Sequence, residues 1–210
     1  MLGTVLVEGV SGGHARTSFR TESLGHLSRL DSVAEPGQVV FLGSSTFHAL
    51  DVGSVADRSL NLSIGGDTVE GLVERMRGYR SIPLARGVVV NIGLNDLIRG
   101  RSAEEVPLDD LFQAIPAAKP VVLLGVQMVA GAALERRPGL SESSARLNAR
   151  FAQACGQRHA CTFVENPADG TPAGNAMVGA DGIHLSPDGY AALRARLRMA
   201  LTGIGQEANR

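Results

Sequence analysis

Gln38-Val39-Val40-Phe41-Leu42-Gly43-Ser44-Ser45-Thr46 runs from a short apolar stretch straight into a turn of small polar residues. A strand buried on both faces has no polar side to show, so it reads as a nearly continuous apolar run. Four more runs have this character, at residues 59–62, 87–92, 120–126 and 161–164. Helical patterns lie between them over 68–80, 103–115 and 141–157. A last helix over 187–201 opens with Ser186 as N-cap and Pro187 at its first position. Upstream, Leu24, Leu27 and Leu30 predict a helix over 17–31, and Pro36-Gly37 marks a turn. Strand and helix alternate throughout. The expected fold class is therefore α/β, a five-stranded parallel sheet between two helical layers. Ser11-Gly12-Gly13 makes residues 1–15 an irregular lead-in. The expected organisation is an N-terminal arm and helix over 1–36, packing on a single domain over 37–210.

Composition narrows the partners. The chain has 210 residues, 44% hydrophobic and 20% charged, which suits one globular domain and argues against disorder. Its formal net charge is −1, and Lys119 is the only lysine, with no glycine-rich turn before it. Without a basic block or phosphate loop, nucleic acid and anionic membranes are not expected as main partners. No apolar run is long enough to span a bilayer. The N-terminus lacks the basic start and apolar run of a secretory signal, which favours the cytoplasm unless a signal was removed. Cys155 and Cys161, with His159 between them, read first as two small buried residues. A disulfide, implying an oxidising compartment, comes second. A metal site comes last, for want of further ligands.

In a parallel sheet, ligands sit beyond the C-terminal strand ends. Four polar clusters fall there: Gly43-Ser44-Ser45-Thr46, Asn61-Leu62-Ser63-Ile64-Gly65-Gly66-Asp67-Thr68, Gly93-Leu94-Asn95-Asp96 and Asp181-Gly182-Ile183-His184. Each has an ordinary reading. Ser44, Ser45 or Thr46 caps a helix; Gly65-Gly66 is a tight turn capped by Asp67 or Thr68; Asn95-Asp96 is an Asx turn. Each also has a chemical one. Ser45 offers a hydroxyl beside unpaired backbone N–H groups. Glycine lets the backbone approach a ligand closely, and the Asn95 amide donates without adding charge. Asp181, three residues before His184, can hold one imidazole nitrogen and leave the other free as a base for a serine. His14, His26 and His159 lack such support, and His48 is expected to face solvent or pack locally. In this order the four clusters point to a hydrolase.

With those residues in view, the chain resembles the SGNH hydrolases, the GDSL-like esterase and lipase superfamily. Ser45, Gly66, Asn95 and His184 match its four letters in order, and the resemblance runs from about residue 39 to 201. It implies a flavodoxin-like three-layer α/β/α sandwich around a five-stranded parallel sheet. It also implies Ser45 as nucleophile, His184 as base and Asp181 as the acid that orients it. The oxyanion hole would comprise the Ser45 and Gly66 backbone N–H groups and the Asn95 side chain. The family needs no metal or organic cofactor. Two departures stand. The first block reads Gly43-Ser44-Ser45 where the family has Gly-Asp-Ser, as branches similar to the platelet-activating-factor acetylhydrolase group tolerate; the spacing from Gly43 favours Ser45 over Ser44 as nucleophile. Gly65 also precedes Gly66, and the match to Asp67-Thr68 favours Gly66 as donor.

The expected activity is hydrolysis of small or medium acyl esters through an acyl-enzyme, on a small-molecule substrate. O-acyl transfer and polysaccharide O-acetyl ester hydrolysis use the same residues and stand as alternatives, with exclusion of water deciding the first of them. A catalytically silent binding domain should have lost one of the three residues. A nucleotide- or flavin-binding domain would rest on fold analogy alone. The segment from Gln127 to Leu134, followed by Glu135-Arg136-Arg137, reads equally as the wall of an acyl pocket or as local core. The chain has no Trp and only two Tyr, which leans against a long glycan platform. The sequence leaves oligomeric state open.

Overall fold

The computed structural model describes residues 11–204, with side chains from residue 18 onward. In chain order the elements are α1 (Ser11–Ser32), β1 (Val39–Gly43), α2 (Ser45–His48), a 3₁₀ turn (Val52–Ser54), β2 (Ser59–Asn61), α3 (Val69–Met76), α4 (Ser81–Leu84), β3 (Gly87–Asn91), α5 (Leu94–Ile98), α6 (Leu108–Gln113), β4 (Val121–Leu124), α7 (Gly131–Arg136), α8 (Leu140–Gln157), β5 (Cys161–Val164), α9 (Pro172–Asn175) and α10 (Pro187–Leu201).

The five strands form one sheet in the order β2-β1-β3-β4-β5, every neighbour parallel. This is the flavodoxin-like order the resemblance implies. Every residue of β1, β3 and β4 is buried. Successive side chains take opposite faces of a strand, and the core divides accordingly. Val40, Leu42, Val88, Val90, Val121 and Leu123 pack with α1, α3, α6 and α8, whose Leu27, Leu72, Leu111, Leu147 and Phe151 are buried there. Val39, Phe41, Val89, Val122 and Leu124 pack with Phe47 of α2 and with Leu193 and Leu197 of α10. Three layers result because each strand has two apolar faces to cover.

Several boundaries move. Of the lead-in expected over 1–15, residues 1–10 lie outside the described residues, and 11–15 belong to α1. Gly12 and Gly13 each disfavour a helix by only about 1 kcal/mol, which does not forbid one. The helix expected over 68–80 stops at Met76; the chain turns at Gly78 and restarts as α4. The pattern over 103–115 is helical only from Leu108, because Pro107 brings no backbone N–H and biases Val106 away from helical angles.

The cysteines require a correction. Cys155 at the end of α8 and Cys161 at the start of β5 form a disulfide, with Cα atoms 5.2 Å apart. The expectation placed first, two small buried residues, gives way to the one placed second. The short connection between α8 and the parallel edge strand β5 brings both sulfurs together, which spacing alone does not reveal.

Candidate active site

All four clusters meet at the C-terminal end of the sheet. The β2-β1-β3 order places the topological switch point between β1 and β3, where a crevice opens in such sheets. Ser45 follows β1 and Asn95 follows β3 on either side of it. Gly43 is required at the end of β1, because a Cβ there would collide with the Asn91 carbonyl oxygen. Ser44 is buried and its backbone N–H donates to that same carbonyl at 3.1 Å. Its side chain caps nothing. Ser45 is only half-buried and meets His184: Nε2 lies 3.0 Å from Ser45 Oγ.

The histidine loop is built to hold that ring. Asp181 Oδ2 lies 2.5 Å from His184 Nδ1, while Oδ1 accepts the backbone N–H groups of Ile183 and His184, both at 2.9 Å. Gly182 takes φ +73°, and a Cβ on it would strike the Ala130 carbonyl oxygen, so the turn needs glycine twice over. Gly179 N–H donates to the His184 carbonyl at 2.7 Å, and Ser186 caps α10 directly behind through Gly189 N–H at 3.1 Å. Partial burial pushes the Asp181 carboxyl upward. The hydrogen bonds from the His184 ring and the two backbone N–H groups outweigh it, and the pKa falls to about 2. An ionised carboxylate only accepts, so Nδ1 carries the proton, and in the neutral ring Nε2 presents its lone pair to the Ser45 hydroxyl.

The second and third clusters are stapled to each other. Asn95 Nδ2 donates to the Asp67 carbonyl at 3.0 Å, and Arg99 Nη2 to the Gly66 carbonyl at 2.6 Å. Asp96 accepts the Val69 N–H at 3.0 Å, and burial raises its carboxyl above the usual range against that bond and Arg101. Thr68, not Asp67, is the N-cap of α3, accepting from Gly71 N–H at 3.2 Å. The buried Asp67 carboxylate instead pairs with Arg75 and Arg20, each at 2.8 Å. Gly66 and Asn95 line one cavity of about 700 Å³ with Gly65, Phe19, Arg20, Ile98, Arg99 and Arg137.

Gln127, which the sequence reads equally as pocket wall or local core, is buried. Its buried amide nitrogen donates to Thr46 Oγ1 and to the Ile183 carbonyl, both at 3.1 Å, and so ties the turn after Ser45 to the loop before His184. Val129 and Ala133 of the same segment are core, so at those positions the local-core reading holds. His48 Nδ1 donates to the Ser63 carbonyl, 3.1 Å away, and the ring packs edge-on against Phe19. Among the described residues, no cluster of three or more His, Cys, Asp or Glu is placed to hold a metal, and no helix is long and apolar enough to cross a membrane.

The profile of the GDSL-like lipase/acylhydrolase family matches residues 7–192, most of the chain. The chain belongs to that family. Solved structures share the fold. A GDSL-like lipase from Bacteroides thetaiotaomicron superposes with a TM-score of 0.69 at 19% identity, over 89% of this chain and 97% of that one. A lipase/acylhydrolase from Enterococcus faecalis gives 0.66 at 23% identity, over 80% and 96%. A variant of an acetyl-xylooligosaccharide esterase from Geobacillus gives 0.61 at 17% identity, over 82% and 96%. A comparison with curated protein sequences finds no match. This GDSL-like protein is thus a member of an esterase- and lipase-type hydrolase family, built on the α/β sandwich that its sequence predicts.

Proposed function

We propose that this GDSL-like protein is a serine carboxylic-ester hydrolase acting on small or medium acyl esters through an acyl-enzyme. One observation carries the reading: a single imidazole lies 3.0 Å from Ser45 Oγ and 2.5 Å from the Asp181 carboxylate. Ser45 Oγ attacks the ester carbonyl and passes its proton to His184 Nε2, and Asp181 stabilises the imidazolium that forms. The negative charge on the former carbonyl oxygen is met by the Ser45 and Gly66 backbone N–H groups and by Asn95 Nδ2. His184 then protonates the departing alcohol. A water, deprotonated by the same nitrogen, attacks the acyl-enzyme and releases the acid.

Hydrolysis is favoured over acyl transfer because the His184 and Asp181 side chains stay 47% and 50% exposed. An acyl-enzyme beside so open a base competes poorly against bulk water for an alcohol acceptor. That openness also favours a second reading, removal of O-acetyl groups from a saccharide chain; the Geobacillus neighbour is named as an acetyl-xylooligosaccharide esterase.

The test is kcat/KM on p-nitrophenyl esters from acetate to octanoate, beside acetylated xylo-oligosaccharide. Turnover that Ser45→Ala and His184→Ala each abolish is the expected outcome, and the preferred ester sizes the acyl site. Activity surviving Ser45→Ala, or none on any ester, overturns the assignment.

A further inference from the structure

The cavity beside Gly66 and Asn95 is lined by three arginines and by no carboxylate. Arg20 shares the one charge of Asp67 with Arg75. Arg99 and Arg137 are exposed and donate only to backbone carbonyls, those of Gly66 and Ile98, and neither makes an ion pair among the described residues. Each guanidinium has five N–H donors in a fixed plane, so most of them remain available to the cavity. The three cations face only the shared Asp67 carboxylate and, from Arg99 at longer range, the buried Asp96 that Arg101 also meets, a surplus of positive charge that water tolerates and an anionic ligand improves. The volume, about 700 Å³, lies within the range of small-molecule sites.

We infer that this cavity seats an anionic group of the substrate, a carboxylate or a phosphate, between Arg99, Arg137 and Arg20. The inference rests on the ester-hydrolase reading, since the group is positioned relative to an ester carbonyl held over Ser45. Gly66 and Asn95 belong both to that reading's oxyanion hole and to the cavity wall, so an ester seated there has its charged end only a few bonds from the reacting carbon. Phe19 lines the same cavity, with the tip of its ring beside Gly65.

Two pairs of esters separate the sources of the charge. p-Nitrophenyl hemiglutarate against p-nitrophenyl pentanoate places a carboxylate on the acyl side; the acetyl ester of glycerol phosphate against that of glycerol places a phosphate on the alcohol side. The expected result is a kcat/KM ratio of charged to neutral ester of roughly tenfold or more in at least one pair. Arg137→Gln and Arg99→Gln should each collapse that ratio toward one, and so should raising salt from roughly 0.05 to 0.5 M. A ratio cancels any general loss of fold or of oxyanion-hole geometry. Ratios at or below one in the wild type, or a preference unmoved by both variants, overturn the inference. If none of the four esters is turned over, the hydrolase reading fails separately. Calorimetry of the two charged esters on Ser45→Ala then judges the cavity alone: binding weakened by Arg137→Gln upholds it, and absence of binding overturns it.

Discussion

Asp181 and Gln127 do different work on the same loop. Asp181 is ionised down to about pH 2, below the usual aspartate range near 4, so the imidazole keeps a charged partner throughout the working range of an esterase. Asp181→Asn keeps an acceptor but removes that charge, and kcat should fall on the order of 10²- to 10⁴-fold with little change in KM. Carbon NMR titration of the Asp181 carboxyl should place its midpoint near 2. A folded-state pKa lowered in this way adds stability that is present above pH about 4 and lost as the pH falls through about 2. The side chain is half exposed, so the contribution is of surface-pair size. Gln127 touches no reacting atom under the proposed mechanism; it positions the two loops that carry them. Gln127→Ala leaves the part-buried Ile183 carbonyl and the Thr46 hydroxyl without their partner, so stability should fall by about 1–3 kcal/mol in urea denaturation. Loosening should lower kcat more than it raises KM; equal effects on both would mark a merely structural residue. Ser45, His184 and Asp181 were legible in the sequence because each stands in a short local pattern at a strand end or helix start. Gln127 was not, because its partners Thr46 and Ile183 lie 81 and 56 residues away.

Among the elements, the strands were the most legible, since a short, largely apolar run between turn signals has few other uses. The start of α10 was legible because Ser186 and Pro187 declare it. The helices around residues 68–80 and 103–115 were read too long: their apolar spacing continues past the points where Gly78 and Pro107 interrupt the hydrogen bonding. The disulfide between α8 and β5 was hidden for another reason, since a pair of small apolar cysteines suits a helix end whether bonded or not. Cys161 opens β5 at the N-terminal edge of the sheet, opposite the edge where His184 and Ser45 meet. Reduction should therefore lower stability without touching catalysis. The closed loop is short, so the loop-entropy estimate is roughly 2 kcal/mol. The expected outcome is a lower thermal midpoint in dithiothreitol with unchanged kcat/KM on the preferred p-nitrophenyl ester. A fall in kcat/KM before unfolding would mean that β5 transmits strain to the histidine loop.

The molecule as a whole depends on how α1 joins the sheet, which sequence reading left as a helix packed on a domain. Several ties cross from α1. Leu27 is buried in the core, the Asp31 carboxylate accepts the Arg80 and Ser81 backbone N–H groups at 2.9 Å each, and Arg20 reaches Asp67. Asp67 is the more consequential tie, because its carboxylate balances the buried Arg75 while its carbonyl holds Asn95. We propose that α1 is part of one cooperative unit with the sheet rather than an appendage. Asp67→Asn should then cost about 3–5 kcal/mol, since it leaves a buried guanidinium without its partner. Arg20→Ala should cost far less, because that side chain remains 39% exposed and water can replace the carboxylate. Hydrogen exchange separates the two pictures. If α1 is integral, amides 24–31 exchange through the same global opening as amides 88–91 of β3, and Asp67→Asn lowers the opening free energy of both sets equally. If α1 is an appendage, its amides exchange faster from the outset and the substitution leaves the gap between the sets wider. Because Phe19 and Arg20 also wall the cavity beside Asn95, the integral case carries a functional corollary. The preference for a charged ester should then persist until the sheet itself unfolds and be lost in that same transition.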